Sequence, residues 1–307
     1  MALTSRITLT GAPAEDPEDF FGASLGVIFP DDVMNQHGDA DHGLLYQSPH
    51  LPKPLHISLA DPTGDDDRRL FSHYLWNASL LLAEFVESGT LGLEEGGEEG
   101  GEQGGVTSPL GPPLSTFSVR GRSVLELGAG TALPSLLAAL LGATRVVLTD
   151  YPAPAVISNL TANAARNARP ELSPSGVVAP VEVEGHAWGV PDGPIAKASR
   201  RAFDRVLVCD CLWMPWQHEN LLWSVDWFLA DTAEARCWVV AGFHTGREKM
   251  RGFFDGERLA ARGLEVESIW ERDCDGQERE WVLDRGIEDP VGRKRWLVFA
   301  VLKRAAP

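Results

Sequence analysis

The stretch Val124-Leu125-Glu126-Leu127-Gly128-Ala129-Gly130-Thr131-Ala132-Leu133-Pro134 decides the fold, together with the later run Val146-Val147-Leu148-Thr149-Asp150. The first run is apolar without alternation, is broken by Gly-Ala-Gly and continues into a Leu/Ala-rich segment. This pattern predicts a buried parallel strand that turns tightly into a helix. The second run predicts a neighbouring strand ending in the carboxylate of Asp150, which can accept both hydroxyl groups of a ribose. The two runs together predict a pocket for an adenosine-containing cofactor.

The residues around the glycines indicate which cofactor this is. A dinucleotide site requires a third glycine in G-x-G-x-x-G, but Leu133 occupies that position, and no P-loop lysine follows for a triphosphate. The carboxylate of Glu126 would repel phosphate and suit the cationic amino-acid end of S-adenosyl-L-methionine. The E-x-G-x-G pattern with an acidic strand end resembles motif I of the class I methyltransferases, which implies S-adenosyl-L-methionine as the cofactor. The alternative is an ordinary strand-turn-helix of another α/β protein.

Length and composition are those of one catalytic domain. The 307 residues, 44% of them hydrophobic, can bury one large core. The chain has no apolar run long enough to span a membrane, and it begins without a charged-then-apolar signal sequence. We therefore expect a soluble, cytoplasmic protein with no membrane partner.

Charge and cysteine spacing argue against two further kinds of site. The formal net charge of −17, from 44 acidic and 27 basic residues, argues against a nucleic-acid partner and favours a neutral or cationic substrate. The cysteines lack the spacing of a zinc knuckle, so we expect reduced, buried thiols and no metal site. They are Cys209, Cys211, Cys237 and Cys274.

The order of the predicted elements indicates the architecture. Residues 1–70 are rich in Asp, Pro, Gly and His and predict an irregular extension that packs on a catalytic domain spanning 71–307. A helix over 71–86 leads to a Gly/Glu-rich insert at about 89–115, which is too polar to order itself and is expected to be flexible. Strands are then predicted at 122–127, 145–149, 180–184, 204–209 and 236–242, alternating with helices at 132–141, 153–167, 217–230 and 247–261. This alternation indicates a parallel sheet.

The C-terminal segment breaks the alternation. Residues 264–270 and 295–302 are predicted strands with no helix between them, so we expect antiparallel neighbours at the sheet edge. The predicted fold class is α/β, a Rossmann-like, doubly wound, seven-stranded sheet with one antiparallel strand near the C-terminus. This architecture is similar to that of the class I methyltransferases, and the likeness covers roughly residues 70–304.

Four short motifs narrow the resemblance. Three of them resemble the seven-β-strand lysine methyltransferase family: Tyr74-Leu75-Trp76-Asn77-Ala78, Thr149-Asp150-Tyr151-Pro152 and Val208-Cys209-Asp210-Cys211-Leu212-Trp213. Pro17-Glu18-Asp19-Phe20 resembles its nicotinamide N-methyltransferase-like group, which includes methyltransferases of elongation factor 1-alpha. The family often carries D-x-x-Y after the fourth strand, whereas this chain has Trp213-Met214-Pro215-Trp216. The resemblance implies an N-methyltransferase acting on a protein amine, at a lysine or N-terminus, or on a small nitrogen compound such as nicotinamide.

The resemblance also implies roles for single residues. Trp76 would line the cofactor cleft, Trp188 of His186-Ala187-Trp188 would lie beside the adenine, and Asp210 would close the methionine side. The alternative for Trp76 is a place in the core, as is common for aromatic residues at helical spacing. The predicted cofactor-binding residues are Trp76, Glu126, Gly128, Ala129, Gly130, Asp150, Tyr151, Trp188 and Asp210.

The predicted substrate side is aromatic. Trp213 and Trp216 either form a wall at the substrate mouth, suited to a flat ring or a methylammonium group, or cap the core. His218 and His244 are candidates for removing a proton from a protonated amine; otherwise they are surface or core residues with satisfied hydrogen bonds. A non-catalytic methyltransferase-like scaffold is the alternative to an enzyme, although a scaffold has no need for a loop that admits a cofactor.

Overall fold

The computed structural model describes residues 3–10, 35–38, 42–61, 74–93 and 106–306. The strands, in chain order, are β1 (Ile7–Leu9), β2 (Gln36–His37), β3 (Leu44–Tyr46), β4 (Leu55–Ile57), β5 (Leu75–Trp76), β6 (Ser123–Leu127), β7 (Arg145–Asp150), β8 (Val181–Gly185), β9 (Arg205–Cys209), β10 (Arg236–Gly242), β11 (Leu264–Asp273), β12 (Glu278–Glu280) and β13 (Trp296–Arg304). The helices are α1 (Asn77–Leu91), α2 (Leu133–Leu140), α3 (Pro154–Asn167), α4 (Pro194–Ala198), α5 (His218–Phe228), α6 (Arg247–Arg251), α7 (Gly256–Ala260) and α8 (Pro290–Arg293). The central sheet has the order β12-β11-β13-β10-β9-β6-β7-β8.

The parallel part of this sheet brings the carboxyl ends of three strands together. β6 pairs in parallel with β7 on one side and with β9 on the other. The chain runs outward from β6 to β7 and β8, then crosses to β9 and β10, so the strand order reverses beside β6. In open α/β sheets, ligands bind in the crevice at such a reversal.

Helices cover both faces of the sheet, which confirms the doubly wound prediction. One face packs against α1, α2 and α3, where Phe85, Leu137 and Leu160 are buried. The other face packs against α5, where Leu221 and Val225 are buried. Strands covered on both faces are continuous apolar runs rather than alternating ones, and this is why β6 and β7 can be predicted from sequence.

The C-terminal strands form the expected reversed edge. β13 pairs antiparallel with both β10 and β11, which confirms the predicted neighbours. β11 is longer than predicted, and a turn at Gly276, with φ of +92°, leads into β12. This three-residue strand pairs antiparallel with β11 and makes the sheet eight-stranded rather than seven-stranded. Its sequence, Glu278-Arg279-Glu280, has no apolar pattern by which it could be predicted.

The N-terminal part is more regular than predicted. Among its described residues, β1, β3 and β4 form an antiparallel sheet, and β2 pairs with β5. Leu44, Tyr46, Leu55 and Ile57 are buried in the core of the catalytic domain. Strands of two or three residues are too short to show the alternating hydrophobic pattern from which strands are predicted. The motif at residues 17–20 lies outside the described residues.

Two predicted helices have different bounds in the structure. The helix expected over 71–86 begins at Asn77, directly after β5, and ends at Leu91, where Gly92 takes the left-handed conformation of a helix cap. The helix expected over 247–261 is two short helices, α6 and α7. The Asp255 carboxylate starts the second one by accepting the amide N–H of Arg258 at 3.0 Å.

Residues at both ends of the predicted Gly/Glu-rich insert have defined positions in the structure. Its first residues, 89–91, belong to α1, while residues 94–105 lie outside the described residues. On the far side, the Ser108 hydroxyl and the Leu110 amide donate to the carboxylate of Glu278 at 2.7 and 2.9 Å. The first end of the predicted insert thus belongs to α1 and the second contacts β12, and the flexibility of the segment stays a prediction.

The described ranges bear on the expectations for membrane spans, metal sites and cysteines. No helix in them is long and apolar enough to cross a membrane. Their His, Cys, Asp and Glu side chains form no cluster that could hold a metal ion. The four cysteines are buried thiols, and burial raises the pKa of Cys274 to about 12.

Candidate cofactor and substrate site

A cavity of about 210 Å³ opens at the carboxyl ends of β6, β7 and β9. One ordered water needs about 10–15 Å³ by this measure, so the cavity has room for a ligand of many atoms. Its lining consists of Tyr74, Trp76, Ser79, Gly128, Ala129, Gly130, Thr131, Asp150, Tyr151, His186, Ala187, Trp188, Cys209, Asp210, Cys211, Trp213, Met214, Gln217 and Asn220. All the predicted cofactor-binding residues except Glu126 are among them.

The glycine loop after β6 forms one wall of the cavity. Gly128 has φ of +69°, and a Cβ there would lie 2.7 Å from Cys211 Sγ and 3.1 Å from Cζ2 of Trp188. Any side chain would therefore push apart the loop, the segment after β9 and the indole. Gly130 also has a positive φ, +54°, a conformation that glycine adopts without steric cost. The loop can be approached closely only because both positions lack side chains.

Asp150 joins this loop to the end of β7. Its Oδ2 accepts the amide N–H of Gly130 at 2.8 Å, and its Oδ1 accepts that of Tyr151 at 2.7 Å. A carboxylate has about four acceptor positions, so two remain for the hydroxyls of a ribose. Burial raises the pKa of Asp150 to about 6, and the two amide bonds oppose this rise. The carboxylate lies at the end of β7, and ribose binding by it stays a prediction.

Glu126 lies beneath the cavity rather than in its wall. The residue is fully buried, and neither carboxylate oxygen has a hydrogen-bond partner among the described residues. Burial raises the pKa of Glu126 to about 8, and nearby Asp150 adds to this rise. Glu126 is therefore outside the lining of the cavity, and its predicted interaction with the cationic end of the cofactor stays a prediction.

Asp210 follows β9 and has an unusual backbone. Its φ is +55°, which costs free energy for a residue with a side chain and occurs preferentially at functional sites. Oδ1 accepts the amide N–H of Gly242 at 3.3 Å. Burial raises the pKa of Asp210, while His244 and the Gly242 amide oppose the rise. A second buried carboxyl group thus faces the same cavity as Asp150.

The loop carrying Trp188 is fastened to α5. The Ser224 hydroxyl accepts the Gly189 amide at 3.0 Å and lies 3.0 Å from Nε2 of His186. Burial lowers the pKa of His186 to about 4, so this imidazole is neutral near pH 7. These contacts hold the Trp188 indole against Gly128, in the cavity wall where the sequence analysis expects adenine to lie. Its stacking role itself stays a prediction.

The predicted substrate-side residues occupy different environments. Trp213 lines the cavity, and Trp216 packs edge-to-face against it, with ring centroids 6.3 Å apart. Trp216 is 69% exposed, so it does not cap the core. His218 is buried with Nε2 2.9 Å from the carbonyl oxygen of Leu212, and it does not reach the cavity. His244 lies just outside the lining and stacks on Trp76, with ring centroids 4.9 Å apart.

Several lining residues were not predicted. Cys209, Cys211, Met214, Gln217 and Asn220 reach the cavity from β9, the segment after it and the start of α5. Cys209 and Cys211 flank Asp210, so their place beside a predicted site residue was the available signal. Gln217 and Asn220 are joined to each other by a 2.8 Å hydrogen bond. Their position depends on where α5 packs, which no local pattern reveals.

The lining fits S-adenosyl-L-methionine. Asp150 can hold the ribose, Trp188 offers an aromatic face, and no lysine or arginine is among the described residues that line the cavity. Asp150 and Asp210, with Glu126 beneath, make the cavity favourable for a cation in a medium where charges interact strongly. These carboxylates would repel a phosphate group. Such a cavity suits an adenosine that carries a positive sulfonium.

The first prediction concerns Asp150. Asp150→Ala removes the acceptor for the ribose hydroxyls and for the Gly130 amide, so S-adenosylhomocysteine should bind more weakly by about 1.5–3 kcal/mol, or roughly ten- to 150-fold. Isothermal titration calorimetry measures this change. Asp192→Ala, at an exposed aspartate, is the matched control and should bind normally. Equal affinities for the two variants would move the ribose site elsewhere.

The second prediction concerns pH. Ribose hydroxyls donate to the ionised carboxylate, so binding favours the ionised form of Asp150. Because the pKa of this group is about 6, affinity for S-adenosylhomocysteine should be full above pH 7 and fall below pH 6. Below pH 6, the affinity should fall by a factor that approaches ten for each pH unit. Asp150→Asn should bind weakly at every pH without this slope, and an identical slope in that variant would assign it to another group.

Comparisons with known proteins agree with this geometry. The profile of the family described as lysine methyltransferase matches residues 64–256. The Gibberella zeae protein named protein N-terminal and lysine N-methyltransferase EFM7 is 30% identical over 237 residues, which cover 73% of this chain and 75% of that relative. Proteins of the same name from Schizosaccharomyces pombe and Neurospora crassa are 25% and 26% identical, over 73% and 79% of this chain and 80% and 84% of theirs. With its glycine loop and the carboxylate of Asp150 in place, the chain belongs to the lysine methyltransferase family and is an S-adenosyl-L-methionine-dependent methyltransferase.

Proposed function

We propose that this enzyme methylates a protein amine, at a lysine or an N-terminus, on elongation factor 1-alpha or a similar protein. The observation that carries the proposal is the similarity over three quarters of the Gibberella zeae relative, whose name states both activities. The sequence motifs that resemble elongation-factor methyltransferases support the choice of substrate. We further propose that the reaction takes place in the cytoplasm, on a partner that is protein rather than nucleic acid.

The mouth of the cavity supports a macromolecular substrate. Tyr151 and Trp216 are 48% and 69% exposed, and Trp216 continues outward from Trp213 in the lining. An exposed aromatic surface beside a cavity can contact the chain around a target amine as well as the amine itself. The net charge of −17 attracts basic segments of a partner protein. Such segments are rich in the lysines that the enzyme would methylate.

The residues of this chain have three tasks in the reaction. The cofactor, when bound, supplies a methyl group already activated on a sulfonium. Asp150 and the glycine loop fix the adenosine, and Asp210 favours positive charge in the cavity. Trp213 in the lining and Trp216 at the mouth offer aromatic faces to the substrate amine. In-line attack requires the amine nitrogen to lie roughly 3–3.5 Å from the methyl carbon. The main catalytic contribution of the protein is then to position the amine. The wall of the cavity excludes water from around it.

The third prediction tests the substrate. Incubation of purified elongation factor 1-alpha, unmodified, with the enzyme and methyl-labelled cofactor should label the protein, and peptide mass spectrometry should place the label on its N-terminal amine or a lysine. Nicotinamide under the same conditions should remain unlabelled. The Asp150→Ala variant controls for contaminating activity. Labelled nicotinamide with unlabelled elongation factor would overturn the proposal in favour of a small-molecule enzyme.

The fourth prediction tests the aromatic mouth. Trp216→Ala should lower kcat/KM for the protein substrate about tenfold or more, because the substrate loses an aromatic contact. S-adenosylhomocysteine affinity and thermal stability should barely change, since the side chain is exposed and outside the cavity lining. Val177→Ala, at an equally exposed apolar residue before β8, is the control. A large drop in melting temperature with normal turnover per folded molecule would assign Trp216 to the core.

A further inference from the structure

One histidine at the rim of the cavity has no place in the mechanism above. His244 lies in the turn Phe243–Thr245 that follows β10. Its ring stacks on the indole of Trp76, with centroids 4.9 Å apart and planes 21° apart. Its Nδ1 has no hydrogen-bond partner among the described residues and lies 3.9 Å from Oδ1 of Asp210. The imidazole is 17% exposed and therefore keeps contact with solvent.

A glycine makes this approach possible. A Cβ at Gly242 would lie 3.0 Å from Nδ1 of His244 and 3.7 Å from Oδ2 of Asp210. The Gly242 amide donates to Asp210, which itself has the unfavourable positive φ. An unsatisfied ring nitrogen and a strained aspartate are both costly, and here they face each other at a ligand cavity. This combination is typical of a functional pair rather than of packing.

The reaction needs such a pair. A lysine amine has a pKa near 10.4 and an N-terminal amine one near 7.7–8.0, so both arrive largely as ammonium, and an ammonium has no lone pair for attack. Asp210 lines the cavity and can accept a proton from the substrate. Burial raises the pKa of Asp210, which makes the carboxylate a stronger base than an exposed one. After it has accepted this proton, the Asp210 carboxyl group must pass it to a second acceptor before it can act again.

We propose that His244 is the positioning residue for substrate deprotonation, receiving through Asp210 the proton that the amine must lose. This inference rests on the proposed function. The substrate N–H bond breaks and its electron pair stays on nitrogen; the proton moves to a carboxylate oxygen of Asp210 and then to Nδ1 of His244. The imidazolium releases a proton to water. The remaining gap closes by a shift of about 1 Å, since hydrogen bonds in substrate-free sites are often long.

Two arginines lie near the turn that carries His244. Arg247 is bound by Glu271 and Glu288, through contacts of 2.6 and 2.9 Å. Arg293 of α8 lies against Gly246, 3.8 Å from the place of a Cβ there.

The strand beside Trp76 carries a further titratable group. His37 has Nε2 2.7 Å from Oδ1 of Asn77, and burial lowers its pKa, so it stays neutral near pH 7. Asp210 is the carboxylate that faces His244.

Two substitutions separate proton acceptance from stacking. His244→Phe keeps an aromatic ring on Trp76 but has no nitrogen, whereas His244→Asn loses the ring. Both should lower kcat on elongation factor 1-alpha about 100-fold at pH 7. His244→Phe, which keeps the stacked ring, should also bind S-adenosylhomocysteine as the wild type does. The deficit should shrink as solvent deprotonates the amine, near pH 8 for an N-terminal amine and near pH 10 for a lysine. His56→Phe, at an exposed histidine, is the control.

The outcomes separate this inference from the proposed function. A normal kcat for His244→Phe at pH 7, or a deficit that stays constant with pH, overturns it. An enzyme that leaves elongation factor 1-alpha unlabelled overturns the proposed function instead. The pairing is then tested without substrate: NMR of the His244 ring should show its titration midpoint moving to lower pH in Asp210→Asn, because imidazolium loses its counter-charge. An unmoved midpoint overturns the pairing.

Discussion

The structure depends on the absence of a side chain at Gly128. At that point β6 ends, the chain turns toward α2, and the segments after β8 and β9 close over the turn. A Cβ would lie 2.7 Å from Cys211, which is too short, and 3.1 Å from Trp188, which is tighter than an ordinary contact. Three elements therefore meet at one backbone position, and the same lack of bulk that lets them pack also lets a ligand reach the loop. The missing side chain at Gly128 therefore permits both the packing of the fold and the cofactor cleft.

Buried carboxyl groups are the second constraint, and they work against stability. Glu126, Asp150 and Asp210 surround the floor of the cleft, and burial raises the pKa of each of them. Ionisation of each group therefore costs more free energy than it would in water. A cation in the cavity offsets this cost, whereas a neutral ligand does not. The arrangement thus favours a cofactor with a positive sulfonium over its neutral product, through electrostatics rather than shape.

The parts of the site that could be predicted are those fixed by local pattern. β6, β7, the glycine loop and Asp150 follow from apolar runs and their end points, because covered parallel strands leave a clear signature. The orientation of Glu126 could not be predicted, since alternation along a strand does not say which face looks toward the ligand. Asn220 and the short strand β12 depend on packing between distant segments. Residues 17–20 and 94–105 lie outside the described part of the chain.

The position of Trp76 shows how a weak local element becomes a reliable part of the site. β5 has two residues, and a two-residue pair is not stable alone. The next residue, Asn77, is buried; its amide donates to the Asn35 carbonyl at 2.9 Å, and its Oδ1 lies 2.7 Å from Nε2 of His37. These bonds tie the start of α1 to the strand beside it, and Trp76 is held between them. The indole reaches the cavity because a buried asparagine fixes the backbone, and an apolar replacement of that asparagine would leave the imidazole of His37 unpaired.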